Sequence, residues 1–142
     1  MKLDDSARAL IGAGADATLV TVNPDGSPQV SLVWVALQDG PEGDELVTAH
    51  LSVHQKVRNI RRDDRVALTI VSSEPGTIMR PYLSIRGTAR IVEGGAPELL
   101  EQLARTMAAP GAGFPPADAP PGYLTRIRID KVGGVGPWAA DS

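Results

Sequence analysis

The sequence has 142 residues, 42% of them hydrophobic, and a formal net charge of -3, enough chain for one packed core. It contains no cysteine, which excludes disulfides, thiolate nucleophiles and cysteine-ligated metals. Its weak acidity argues against a nucleic-acid coat, no apolar run approaches the roughly 18 residues of a membrane span, and no signal-peptide pattern opens it, so a cytoplasmic protein with no membrane or nucleic-acid partner is expected.

In chain order, residues 3–12 read as a short amphipathic helix, capped by Asp4, Asp5 and Ser6, with Ala7, Leu10 and Ile11 on its apolar face and Gly12 and Gly14 to stop it. Residues 17–22 are charge-free and β-branched, a strand, and Asn23 to Pro28 carry the Pro and Gly of a tight turn. Residues 29–37 form a second strand in which only Gln29 and Ser31 are polar, so both of its faces should be covered: core on one side, a ligand or second subunit on the other. A Gly/Pro/acid turn at 39–44 precedes a third strand at 45–51.

The next stretch, residues 52–65, reads as a short basic helix. Ser52 and Gln55 have the spacing of an S-x-x-Q capping box, and Val53, Val57 and Ile60 fall on one stripe with Lys56 and Arg61 on its flanks. Five of the fourteen Lys and Arg residues lie between Lys56 and Arg65, so the basicity is a local patch that suits a small anion. A hydroxyl, an ammonium and free N–H groups at a helix N-terminus can converge on one phosphate. A solvated basic helix with an ordinary cap has the same spacing, and the residues alone leave both readings open.

Residues 65–71 form a fourth strand, 73–81 a loop, and 82–92 a fifth strand that alternates cleanly and carries Gly87 where a curling sheet bends. Residues 96–109 form a helix with Pro97 in its first turn and Leu99, Leu100, Leu103 and Met107 as its buried stripe. Residues 110–122 hold five of the twelve prolines and read as a surface loop. A last strand at 124–132 turns Ile127 and Ile129 inward and Arg126 and Arg128 to the opposite face, and Trp138, on a Gly-rich tail, should cover something apolar. Six mostly antiparallel strands with two inserted helices are best protected by closure into a small barrel, in one domain spanning residues 1–142.

No nucleophile–base pair, carboxylate pair or Walker-type loop stands at motif spacing, so no catalytic side chain is assigned. Gly133 to Gly136 follow a strand without opening a helix and fail the dinucleotide-loop context. His50 and His54 are the only histidines, with no carboxylate nearby to complete a ligand set, so no metal is expected. An anion site without catalytic side chains still makes an enzyme if a cofactor carries the chemistry.

The strand at 18–22, the Asn23-Pro-Asp-Gly-Ser-Pro turn, the Gln29-Val-Ser-Leu-Val-Trp-Val strand and the run Lys56-Val-Arg-Asn-Ile-Arg-Arg-Asp-Asp-Arg-Val-Ala-Leu follow one another in an order that resembles the pyridoxamine-phosphate-oxidase-like split β-barrel superfamily. Arg86-Gly87-Thr88-Ala89 is similar to that family's x-G-x-A strand, and within it the chain looks most like the actinobacterial deazaflavin-dependent reductases. The resemblance implies a mainly β fold, a six-stranded antiparallel split β-barrel. It implies a homodimer with cofactor clefts between subunits, and coenzyme F-420, with FMN as the alternative, reducing a small conjugated acceptor. A non-catalytic carrier of flavin or haem is the rival from another class.

By the same resemblance Lys56 matches the position that contacts the cofactor phosphate, with Ser52 beside it. Ser31, Val33 and Trp34 match the strand beside the ring, and Thr48, Ala49 and His50 the strand facing it. Asn59 and Arg61 lie on the matched run, as ligands or as braces, and Trp138 matches a tail that reaches toward a cofactor cleft. Trp34 has a second reading as a core tryptophan. Arg126 and Arg128 either form a solvated strand face or join the basic run in meeting the carboxylate tail of F-420. Relatives often carry another cation just before the matched lysine, where this chain has His54 and Gln55.

Overall fold

Along six segments apolar side chains recur at alternate positions, and the strands that result bury that face together. In the computed structural model, which describes residues 1–139, these are β1 (Ala15–Val22), β2 (Pro28–Gly40), β3 (Gly43–His50), β4 (Arg65–Val71), β5 (Tyr82–Glu93) and β6 (Tyr123–Val135). They pair antiparallel in the order β1-β2-β3-β6-β5-β4, and β4 pairs back with β1, closing the barrel. Closure removes the open sheet edges that six strands would otherwise present. Leu19, Val35, Leu46, Leu68, Ile85 and Ile127 fill the interior, fully buried.

Two glycines mark close backbone approaches in the barrel, one on β5 and one at the start of β6 beside the site. At Gly87 the β5–β6 register shifts by one residue, and a Cβ there would lie 2.5 Å from the Arg128 carbonyl oxygen, so the predicted bend is a close backbone approach that no side chain fits. Gly122, at φ +61, brings the start of β6 against the end of β3; a Cβ would lie 2.3 Å from the His50 carbonyl oxygen. That contact fixes the return of the 108–122 loop beside His50.

Among the described residues three α-helices decorate the barrel, α1 (Asp5–Ile11), α2 (Gln55–Arg62) and α3 (Ala96–Met107), with a short 3-10 turn at Pro137–Ala139. Asp4 caps α1 by accepting from the Ala7 N–H at 2.9 Å, and α3 lays Leu99 and Leu103 on Ala36 and Val47 outside the barrel wall. The predicted turn at 39–44 is shorter than expected. Asp39 pairs with Asp44 and Gly40 with Gly43, leaving Pro41 and Glu42 as the loop. Asp44 stays in the sheet because its carboxylate, buried, accepts from the Leu3 N–H at 2.8 Å and from Arg8 at 2.6 Å.

The capping box expected at Ser52 and Gln55 does not form. Helix α2 starts two residues later, with His54 and not Ser52 at its N-cap, because the His54 N–H turns back to the Ser52 carbonyl and the Gln55 side chain is engaged with Asn59 and Arg58. Val53 therefore leaves the apolar stripe and is exposed, while Val57 and Ile60 keep their buried places. The fully buried residue not foreseen on that stripe is Asn59. Its Nδ2 donates to Thr21 Oγ1 at 3.0 Å and to Asn23 Oδ1 at 2.9 Å, and its Oδ1 accepts from Gln55 at 2.8 Å.

Asn59 thus ties α2 to the β1 end of the barrel. Asn59→Ala leaves the buried Thr21 hydroxyl with its bond to Gln29 alone and removes the tie, and should lower stability by about 1–2 kcal/mol, read as a fall in the urea midpoint. An unchanged midpoint would show that the network contributes nothing.

Candidate functional site

A cleft of about 440 Å³ opens where the middle of β2 and the end of β3 meet the start of α2. Leu32, Val33 and Trp34 line it from β2; Thr48, Ala49 and His50 from β3; Leu51, Ser52, His54 and Lys56 from the segment leading into and opening α2. Leu100 of α3 and Phe114 of the 108–122 loop close its far side, with Phe114 edge-on to Trp34 at 5.9 Å between ring centroids. Leu32, Val33, Trp34, Leu51, Leu100 and Phe114 give the cleft its apolar surface, and Thr48, His50, Ser52, His54 and Lys56 its polar and charged groups. A larger groove of about 790 Å³ runs between α3 and the loop, but its charged residues, Glu101 and Arg105, approach each other at 3.8 Å, and its other walls are Ala, Gly, Pro and Phe114. The smaller cleft is the one with chemistry.

Lys56 is half-buried and has no ion-pair or hydrogen-bond partner among the described residues. Burial pulls its ammonium below the ordinary lysine value. His54 is also held below its ordinary value, by burial and then by the charges of Lys56 and Arg58. His50 is buried, with Nε2 2.7 Å from Thr125 Oγ1, and burial, then Lys56 and His54, push it down to about 3. None of these three groups is relieved by a carboxylate, so the end of the cleft is an electropositive, partly desolvated place where an anion would be welcome.

Ser52 Oγ lies 3.2 Å from His54 Nε2, a hydroxyl–imidazole contact that sequence spacing did not reveal. It does not make a hydrolytic dyad. No carboxylate orients the other ring nitrogen among the described residues, and the neighbouring cations weaken the imidazole as a base. No cluster of three His, Cys, Asp or Glu residues that would hold a metal occurs among the described residues. The cleft can grip an anionic group at Lys56 and lay a flat ring against Trp34; its own side chains supply no redox or nucleophilic step.

Of the ten residues singled out from the sequence, the fold brings Val33, Trp34, Thr48, His50, Ser52 and Lys56 into this cleft. Ser31 stands next to Leu32 with its Oγ buried and without a hydrogen-bond partner among the described residues. Asn59 is turned to Thr21 and Asn23, away from the cleft. Arg61 is exposed and lies over the Tyr123 ring, 5.2 Å from its centroid. Trp138 is at another recess, with Nε1 donating to the Tyr82 carbonyl at 3.0 Å and its ring packed on the core beside α1.

The other expected cations are also committed elsewhere. Arg126 and Arg90 share the buried Glu45 carboxylate at 2.9 and 2.6 Å, and Arg128 pairs with Asp130 at 2.7 Å. Within the basic run Arg65 holds Asp63 at 2.6 Å, and Arg62 donates to the Val22 carbonyl. Leu32, Leu51, His54, Leu100 and Phe114 also line the cleft and were not singled out from the sequence. Leu32 and His54 were legible as neighbours of matched positions, whereas Leu100 and Phe114 arrive only through the tertiary return of α3 and its loop.

The depressed His50 makes stability pH-dependent in a window of its own. Its folded value, about 3, lies below the ordinary 6.5, so the unfolded chain binds a proton there that the native chain refuses. Stability is therefore full above about pH 6.5 and falls on acidification, by up to about 1.4 kcal/mol per pH unit for one proton. Carboxylates titrate mostly below about pH 4.5, so urea unfolding at about pH 6.5, 5.5 and 4.5 isolates the histidines. His50→Gln should remove most of that slope, and an unaltered slope would place the titration elsewhere.

Residues 3–136 match the family model described as pyridoxamine 5'-phosphate oxidase. Among solved structures, one described as an F-420 reductase is 28% identical, with a TM-score of 0.72 over 89% of this chain and 94% of that one. The conserved hypothetical protein Rv2991 from Mycobacterium tuberculosis is 25% identical, with a TM-score of 0.67 over 93% of this chain and 84% of that one. A heme binding protein from Mycobacterium smegmatis, 24% identical with a TM-score of 0.65, covers 97% of this chain and 55% of its own, and shares the fold. No curated protein matches the chain.

Proposed function

Because this chain belongs to the pyridoxamine 5'-phosphate oxidase family, we propose that it is a coenzyme F-420-dependent oxidoreductase that works as a homodimer and reduces a small conjugated acceptor. The observation that carries this reading is Lys56, a half-desolvated cation with no ion-pair partner among the described residues, in a cleft whose lining includes no acid. The cleft fits a flat ring with an anionic tail in volume and in chemistry. Bound there, the deazaflavin supplies the hydride.

The chain's own part is binding and shelter. Lys56 neutralises the phosphate, the open first turn of α2 adds backbone N–H groups, and Trp34, Val33 and Thr48 set the plane of the ring. Leu100 and Phe114 keep water from the reacting face. Similarity to a protein described as an F-420 reductase supports the deazaflavin over other ring systems.

A homodimer is supported by the outer face of β2, β1 and β4. Val30 and Leu32 are 60% and 69% exposed and Val71 is 58% exposed, beside Val20 and Ala67. Leu32 also lines the cleft, so a second copy seated on that face would wall it. No helix among the described residues is long and apolar enough to cross a membrane.

One observation favours FMN as the second reading. Arg126 and Arg128, which would have met the F-420 carboxylate tail, are paired with Glu45 and Asp130, and FMN needs only its phosphate neutralised. Titration of the purified protein with F-420, FMN and haem, followed by oxidation of the reduced cofactor by a quinone, separates the readings. Tighter binding of F-420 with acceptor-dependent oxidation is expected; FMN or haem binding while F-420 fails would reject the proposal.

A further inference from the structure

We propose that His54 is a second, proton-switched anion ligand of the cleft, so that an acidic cofactor is held more tightly as pH falls below neutrality. This rests on the cleft being the phosphate site proposed above. The His54 side chain lines the cleft together with that of Lys56, two residues on, and its Nε2 is held 3.2 Å from Ser52 Oγ. Its Nδ1 has no partner among the described residues, so protonation would add a donor to the cleft wall.

The charged and titratable groups around His54 are few. Lys56 and Arg58 face it from α2, and His50 from β3, at 6.2 Å between ring centroids. From β2, α3 and the 108–122 loop come Trp34, Leu100 and Phe114, none of them charged. Glu93 of β5 and Tyr123 of β6 line a neighbouring recess with Ser52 and not this cleft. Without a ligand, burial and then the two cations keep His54 neutral near pH 7. A bound anion offsets that surrounding positive charge and favours the imidazolium, so binding takes up a proton. His50 cannot serve, because it is buried and engaged with Thr125.

By linkage, affinity rises as pH falls through the ligand-bound His54 value, by at most about tenfold per pH unit for one proton. The test measures dissociation constants of FMN and of coenzyme F-420 from about pH 8 to about pH 5.5 for the wild type, His54→Gln, His54→Lys and Lys56→Ala. Dividing each wild-type value by that of His54→Gln cancels titration of the ligand itself. The ratio should favour the wild type by about tenfold or more at the acidic end and vanish at the basic end. His54→Lys should bind tightly across the range, with the switch removed. A ratio that stays flat with pH, while Lys56→Ala still weakens binding, overturns the role of His54 and leaves the phosphate site standing. If Lys56→Ala also binds like the parent, the phosphate site itself falls.

Discussion

Lys56→Ala should weaken cofactor binding by about 10- to 150-fold, the equivalent of one charge-assisted hydrogen bond of about 1.5–3 kcal/mol. The ammonium is half-buried and has no carboxylate to neutralise it, so its interactions with an incoming phosphate are not diluted by an existing pair. Stability should not suffer. Lys56 sits in the first turn of α2, contributes no ion pair, and is desolvated at some expense, while alanine is a better helix former. Lys56→Arg should keep part of the affinity, because the charge survives but its shape does not. Isothermal titration of the three proteins with F-420 reads all of this at once, and equal affinity for the alanine variant would reduce α2 to an ordinary basic helix.

Leu32→Glu carries the second large effect. Leu32 is 69% exposed in the single chain and stands opposite Thr18 on the outer face of the barrel, next to the row of Val30, Val20 and Ala67. In a two-fold dimer each substitution counts twice, removing about 1.5–3 kcal/mol of apolar burial per chain and placing a carboxylate in an apolar contact. The dissociation constant of the dimer should rise by at least about 100-fold, giving monomers at micromolar concentration by sedimentation. Because Leu32 also lines the cleft, cofactor affinity should fall with dimerisation. A wild-type protein that sediments as a monomer would refute the interface, and a monomeric variant with full affinity would show that the cleft is complete in one chain.

The barrel was legible because its strands carry their own pattern. The alternation of β5, the Gly87 bend and the turn residues before β2 each specify local geometry without help from distant parts of the chain. Lys56 stood out on a short basic helix, whereas Trp34 was singled out through the family resemblance, and both line the cleft. The capping box failed because the cap residue is chosen by how the chain leaves β3, and Gln55 finds better partners in Asn59 and Arg58.

Arg126 looked like a free cation because its partner, Glu45, lies 81 residues away and meets it only across the β3–β6 ladder. Trp138 was correctly expected to need cover, yet nothing in a Gly-rich tail says that the Tyr82 carbonyl supplies its anchor. Leu100 and Phe114 are wall residues by virtue of where α3 and its loop return, which is information the whole fold holds and no window of sequence does.

The most direct measurement is a crystal structure of the protein with coenzyme F-420. The expected result is a phosphate oxygen within hydrogen-bond distance of Lys56 Nζ, the deazaflavin ring against Trp34 between β2 and β3, and a second copy of the chain on the Val30–Leu32 face closing the cleft. A cofactor bound elsewhere, or a ring in this cleft with its phosphate turned away from Lys56, would contradict it.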